Sequence, residues 1–386
     1  MQRRDLARLI GLGAALGAVA HAADALPGDP RSPRRQRARA LFRGFENSLR
    51  PSFSPDFNDL DEAGIRHDVR QSIAHGVFSV FCAPGELSLE ETEQFFGIVA
   101  SEAKGKVAVS TIAIGQDAAA QLRLLRLAEQ AGFTHILVHP YPTFRANSED
   151  DLYRYYRTLI DATGLDVVLW ATNGVQMQNL HPSNVVVPVL DRLADIDNVV
   201  ALKLMMTLES AVTFACLERL GSRLLVNCVD LSMMPLLVAR YGVQWSGAWT
   251  IEALQSVDKP YVVRYLDLLA RGDYDEALEL YWNIKPAYDV LTRLMAPLLP
   301  KGVHPSVHLK YYQWCVGGNG GMPRTPRDPA ERAYPLTAAQ RQSIQAAYRV
   351  IGIEPVGPEA SFVVGRSNYA RGVRASDLPS MPMYAA

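Results

Sequence analysis

From residue 41 onward the chain alternates between short, almost wholly apolar runs and longer stretches whose apolar residues recur at helical spacing. The runs are "GVFSVFCA" (76–83), "KVAVSTIAI" (106–114), "THILVHP" (134–140), "LDVVLWAT" (165–172), "NVVALKLMM" (198–206), "RLLVNCV" (223–229) and "VQWSGAW" (243–249). Between them lie "LSLEETEQFFGIVASEA", "DAAAQLRLLRLAEQAG" and "EDDLYRYYRTLIDATG", of which the last two end on Gly132 and Gly164, where C-terminal glycines belong. Strands buried on both faces and separated by helices mean βαβ units and a parallel sheet. An eighth strand fits in "GFENSLRPSF" (44–53). The pattern therefore predicts an α/β protein, a (β/α)8 TIM barrel over 41–250, rather than an open doubly wound sheet. No G-x-G-x-x-G follows the first strand, which weakens the dinucleotide-binding alternative.

After Trp249 the periodicity is helical only, in "KPYVVRYLDLLARG", "YDEALELYWNIKPAYDVLTRLMAPL", "VHPSVHLKYYQWCVG" and "TAAQRQSIQAAYRVIG". A C-terminal helical extension is expected over 251–354, followed by a Pro/Ser/Gly-rich tail, wrapping or disordered, over 355–386. The start differs again. Residues 1–22 carry Arg3 and Arg4, an apolar run from Leu9 to Ala20 and an A-x-A site at Ala20-His21-Ala22. That anatomy predicts an export signal, and the paired arginines before Asp5-Leu6 resemble a twin-arginine signal, so a periplasmic or extracellular location is expected. A short membrane anchor or an amphipathic first helix are the alternatives; the run is short for a bilayer and its Gly/Ala content poor for a core helix. The Pro/Arg-rich stretch 23–40 reads as a linker.

Composition removes several function classes. A net charge of -1 gives no electrostatic case for nucleic acid or an anionic membrane surface. Cys82, Cys216, Cys228 and Cys315 show no CxxC spacing and no partnering histidine pattern, so neither a disulfide framework nor a zinc site is expected. Eight histidines are present, but no H-x-H marks a strand end, and His135 and His139 fall at opposite ends of one strand. A metal-dependent barrel hydrolase is thus disfavoured, and no cofactor or metal is expected.

In a barrel, chemistry collects at the C-terminal ends of the strands. That rule selects Cys82 to Glu86, His139 to Tyr141, Trp170 to Asn173, Lys203, Asn227 to Asp230 and Trp249. Lys203 stands out, because lysine is rarely buried unless paired or chemically employed. A dry pocket penalises the charged ammonium and frees the amine to attack a carbonyl. The alternative is a strand-end lysine paired with a rim carboxylate such as Asp230.

Several segments in the same order resemble the dihydrodipicolinate synthase / N-acetylneuraminate lyase family of Schiff-base aldolases. "CAPGELSLEE" is similar to the family's G-T-T-G-E-x-x-x-L-S-x-E-E, and "HPYPTFRANSEDDLYRYY" to its T-P-Y-Y-x-x-P-x-x-x-x-L-x-x-H-Y. "VVLWATNGVQMQNLHPSNV" resembles V-V-L-Y-N-x-P-x-x-T-x-x-x-L-x-P-E-x, and "NVVALKLMM" resembles N-I-V-G-I-K-E. The likeness spans about residues 45–350 and implies a barrel with Lys203 as Schiff-base former. Gly85, Glu86, Pro140 and Tyr141 match the family's pattern.

Other positions depart from it. The family's proton-relaying tyrosine corresponds to Trp170, whose indole N–H only donates. Its carboxylate-binding Thr-Thr pair corresponds to Ala83 and Pro84, and proline has no N–H to offer. The second tyrosine of P-Y-Y, which serves a neighbouring subunit, corresponds to Pro142, and Leu204 follows the lysine where an acid is usual. These differences argue against dihydrodipicolinate synthase itself. "WATN" is a distant echo of the Y-A-N of the hydratase-aldolases, with Asn173 as a carbonyl or water binder. His139 is a candidate proton relay or a structural histidine, and Asp230 a base or a turn acid. Trp170, Trp245 and Trp249 wall a substrate site or fill the barrel. Two functions stay open: a Schiff-base lyase of aldolase or dehydratase type acting on a small carbonyl compound, or a non-catalytic barrel that binds a ligand or partner. A homo-dimer or homo-tetramer is what the resemblance implies.

Overall fold

Each apolar run contains a parallel strand, because a strand covered on both faces needs no polar alternation. The structure, a computed structural model, describes residues 32–379 except 86, 173, 175, 206–208, 299–303 and 325–335. The proposed export signal at 1–22 lies outside the described residues. The strands are β1 (Gly44–Phe45), β2 (Ser79–Cys82), β3 (Ala108–Ala113), β4 (His135–Val138), β5 (Asp166–Ala171), β6 (Val199–Leu204), β7 (Leu225–Val226) and β8 (Trp245–Ser246). β2 to β7 form one parallel sheet in chain order, and β1 pairs with β8. The circle closes through bridges from Glu46 to Ser79 and from Leu49 to Cys82, and through the Cys228 N–H, which donates to the Trp245 carbonyl at 3.2 Å. Among the described residues this is an eight-stranded barrel, as the sequence pattern predicts.

Alternation within each strand divides two cores. Phe81, Ile112, Leu137, Val168 and Leu225 fill the barrel, while Val80, Val109, Ile136, Val167, Leu202 and Val226 meet the surrounding helices. Those helices are α2 (Glu62–Ala74), α3 (Leu89–Ala103), α4 (Ala118–Gln130), α5 (Glu149–Ile160), α6 (Val187–Leu193), α7 (Ser210–Leu220) and α8 (Met234–Tyr241). α3 starts in a capping box between Ser88 and Glu91. Gly132, at φ +79°, ends α4 as expected. Gly164 does not serve α5 in that way: the helix stops at Ile160 with Asp161 as its cap, leaving Gly164 in the loop.

The expected linker is corrected at its end. Pro33–Leu41 form a helix, α1, with Ser32 as N-cap accepting from the Arg35 N–H and Pro33 at the first turn. The helix persists because it seals the bottom of the barrel. Ala38 and the following Phe42 are buried against the inner core, and Arg35 donates to the Ile196 carbonyl at 3.0 Å. Phe42 packs on Phe78 and, edge-on, on Trp245, each at 5.3 Å between ring centres.

Beyond β8 come α9 (Tyr261–Arg271), α10 (Tyr274–Met295), α11 (Ser306–Cys315) and α12 (Ala338–Val350). α10 packs against α9 and α12, so the extension is a layer of its own beside the barrel. The stretch expected as a tail holds two short helices, α13 (Ala360–Val364) and α14 (Arg366–Ala370). Its described part wraps rather than dangles: Phe362, Val363 and Val364 are buried, and the Gly321 and Met322 N–H groups donate to the carbonyls of Phe362 and Val363. No helix among the described residues is long and apolar enough to cross a membrane.

Candidate active site

Lys203 is the penultimate residue of β6, and strand alternation decides where it points. Leu202 and Leu204 face the helices, so Lys203 faces the barrel, as does Trp170, its register partner on β5. Only 6% of Lys203 is exposed. Its Nζ lies 4.7 Å from the Phe81 ring centre, and it fits there because β8 is followed by Gly247. A Cβ on Gly247 would stand 2.9 Å from Nζ.

The amine opens onto a cavity of about 290 Å³ at the C-terminal mouth of the barrel. Phe81, Ile112, Leu137, Trp170, Val229 and Trp249 give it an apolar wall. Arg50, Ser48, His304 and Arg324 bring polar groups to the same space. Arg50 reaches the His304 ring, with 3.1 Å to Nδ1, and burial together with Arg50 pushes the pKa of His304 well down, which keeps the ring a neutral acceptor. Arg324 is tied to Glu91 at 2.7 Å and to the Phe57 carbonyl at 2.9 Å. Ser48 Oγ is buried and has no hydrogen-bond partner among the described residues.

The partner of Lys203 is Glu46, not Asp230. Glu46 Oε2 accepts from Nζ at 2.9 Å, across 157 residues of sequence. Its other oxygen accepts from His135 Nε2 at 3.0 Å, Ser110 Oγ at 2.5 Å and Ser79 Oγ at 3.1 Å. Burial pushes the Glu46 carboxyl up, but Lys203, His135 and Ser110 together outweigh it and hold the group far below the usual carboxylate range. The residue that follows β1, together with strands β2, β3, β4 and β6, thus contributes one polar layer beneath the cavity. Sequence reasoning missed Glu46, His135 and the two serines as a set. The available signal was an acid directly after Gly44-Phe45, inside the stretch where the eighth strand fits.

The other expected site residues divide. Ala83, Pro84, Gly85, Trp170 and Trp249 line the cavity with Lys203. The Ala83 N–H already donates to the Leu49 carbonyl at 3.0 Å, so this segment presents no pair of N–H groups for a carboxylate. Trp245 is filler: it is fully buried, and its indole N–H donates to the Leu225 carbonyl at 2.9 Å.

Three residues stand away from the cavity. Tyr141 packs with Phe144 and Tyr155, at 5.7 and 5.8 Å between ring centres, because its loop turns outward over α5. Asp230 is a turn acid, accepting from the N–H and hydroxyl of Ser232 at 2.9 and 2.7 Å. His139 is a structural histidine rather than a relay. Its Nδ1–H donates to the Pro140 carbonyl at 2.8 Å, it sits edge-on behind Trp170 at 5.3 Å, and burial pushes its pKa down to about 4 despite that bond. Asn173 and Glu86 lie outside the described residues, as do 206–208 just after Lys203. Among the described residues no group of three or more His, Cys, Asp or Glu side chains is arranged to hold a metal.

Known proteins give an independent view of this geometry. The dihydrodipicolinate synthetase family matches residues 43–307. A 4-hydroxy-tetrahydrodipicolinate synthase of Syntrophobacter fumaroxidans is 26% identical over 234 residues, 59% of this chain and 76% of that protein. A probable 5-dehydro-4-deoxyglucarate dehydratase of Streptomyces coelicolor is 33% identical over 157 residues, 39% of this chain and 46% of its own length. In fold, the crystal structure of N-acetylneuraminate lyase from Fusobacterium nucleatum superposes with a TM-score of 0.62 at 16% identity, covering 80% of this chain and 98% of the lyase.

Proposed function

The chain belongs to the dihydrodipicolinate synthetase family, and from that premise we propose that it is a Schiff-base-forming lyase, of aldolase or dehydratase type, acting on a small carbonyl compound through Lys203. The observation that carries this is the place of Lys203 Nζ, buried at the floor of a largely apolar cavity in the mouth of the barrel. An amine there meets a carbonyl carbon with bulk water excluded, which favours dehydration to the imine. Trp170 in place of a tyrosine, with Ala83 and Pro84 in place of two threonines, supports a reaction other than dihydrodipicolinate synthesis. The walls of Phe81, Trp170 and Trp249 suit a substrate with an apolar or aromatic body, and Arg50 at the mouth suits a polar or anionic end.

The test is reductive trapping. Aldehydes, ketones and 2-oxo acids are offered with borohydride, and adducts are mapped by mass spectrometry. An adduct on Lys203 is expected. No adduct with any carbonyl, or labelling that survives Lys203→Ala, would sink the proposal.

The ion pair with Glu46 favours a second function, in which Lys203 is a buried structural cation and the cavity only binds a ligand. Binding of a carbonyl compound without any trapped adduct would support it. Export by the twin-arginine route belongs to the same proposal, and is tested by fractionating cells that carry Arg3→Lys and Arg4→Lys. So does assembly into a homo-dimer or homo-tetramer, read by light scattering.

A further inference from the structure

We propose that Glu46 is the proton-transfer residue for Lys203, doing from below the amine what a tyrosine does elsewhere in the family from the side. The inference rests on Lys203 as Schiff-base former. Trp170 cannot exchange a proton, His139 lies edge-on to it with Nδ1 bound to the Pro140 carbonyl, and Asp230 is spent on Ser232. Among the described residues one ionisable oxygen touches the amine, and it belongs to Glu46, at 2.9 Å.

The steps balance with Glu46 alone. Lys203 as ammonium passes one proton to Glu46 Oε2 and becomes the free amine. Its nitrogen attacks the carbonyl carbon; the N–C bond forms as the C=O π pair moves to oxygen, which takes the proton back from Glu46. The nitrogen, now carrying two protons, returns one to the carboxylate. Glu46 then delivers that proton to the hydroxyl, which leaves as water while the nitrogen lone pair closes the C=N bond. The three ammonium protons end as one on the iminium and two on water, and Glu46 finishes as a carboxylate beside a cation.

The surroundings return Glu46 to its charged form after each transfer, and the same donors make it a weak base, so each proton it takes is passed on rather than kept. Glu46 is faced by Ser79 from β2, Ser110 from β3, His135 from β4 and Lys203 from β6, with Cys82 of β2 on the far face of its strand but still within reach of the charge. Beyond His135 stands Asp166 of β5, paired with Arg34 of α1 at 3.3 Å. Ser79, Ser110 and His135 all bind Oε1, which leaves Oε2 to the amine. His135 is therefore a positioning residue: it holds one oxygen so that the other stays under Nζ.

Glu46→Gln keeps the shape and removes the proton carrier. Trapping of a carbonyl probe that labels the wild type should then slow by about 100-fold, and Glu46→Asp should recover at least about tenfold of that loss. If Glu46 only anchors an ammonium, Glu46→Gln frees the amine instead and trapping proceeds as fast or faster, which overturns the inference while Lys203 keeps its role. No adduct in the wild type overturns both. Should Glu46→Gln fail to fold, the Ser79→Ala, Ser110→Ala double variant decides. It strips two donors from the carboxylate, makes it a stronger base, and should speed trapping several-fold; an unchanged rate overturns the inference.

Discussion

Trp170 and Lys203 are register partners on neighbouring parallel strands, so both side chains turn into the barrel at the same height. The indole closes that side of the cavity with an apolar face. Because proton transfer is assigned to Glu46, a hydroxyl at this position should add little. Trp170→Phe and Trp170→Tyr are expected to trap a carbonyl probe at rates within about threefold of each other. A tyrosine variant more than about tenfold faster would show that the proton path runs through the side wall. The rate of reductive labelling at Lys203 makes the comparison.

Gly247 is small because Lys203 and Glu46 both pass it. A methyl group there would meet Nζ at 2.9 Å, Cε at 3.0 Å and Glu46 Oε2 at 3.3 Å. Gly247→Ala should therefore push the lysine off its carboxylate, costing about 1–3 kcal/mol of stability by overpacking. Trapping at Lys203 should fall with it. Urea unfolding and labelling, run on the same sample, read the two effects.

The barrel was legible because doubly buried strands write themselves as apolar runs, and Lys203 because it interrupts one. Its partner was not. β1 is two residues long, and the Glu-Asn-Ser that follows has the polarity of a turn. Only closure of the barrel, through the bridge from Glu46 to Ser79, turns that acid toward a lysine 157 residues away. Rim position alone also misplaced Tyr141 and Asp230, since a loop residue at a strand end can face outward. At α1 the local signals were present in Ser32 and Pro33, but the run of arginines concealed a helix whose reason to exist is the barrel floor.

Buried histidines set how stability responds to acid. Burial holds His139 and His308 at about 4, below their ordinary 6.5. Between those values the unfolded chain binds a proton at each and the folded chain does not. Their contribution is therefore fully present above about 6.5 and is lost as the pH falls toward 4, by up to about 3 kcal/mol each. Glu46 adds a contribution at lower pH, complete above its ordinary 4.5 and eroding below it, because its folded value is depressed. His308→Gln should reduce the proton uptake on unfolding by about one in this window. Urea midpoints from about pH 7.5 down to 4.5 check it.

Phe42 links the barrel floor to the chemistry above. Its ring lies 4.6 Å from His135, which holds Glu46 under Lys203 at 3.0 Å. Phe42→Ala should cost about 3–5 kcal/mol, as a fully buried ring does. It should also slow trapping, because the cavity it leaves frees the imidazole to tilt. Phe96 is the matched control: equally buried, it packs on Phe133 at 4.7 Å in the outer core, away from the polar layer. Phe96→Ala should lose comparable stability while trapping at the wild-type rate, measured well below both unfolding transitions. Equal slowing in the two variants would mean that general loosening, rather than the path from Phe42 through His135 and Glu46, sets the rate at Lys203.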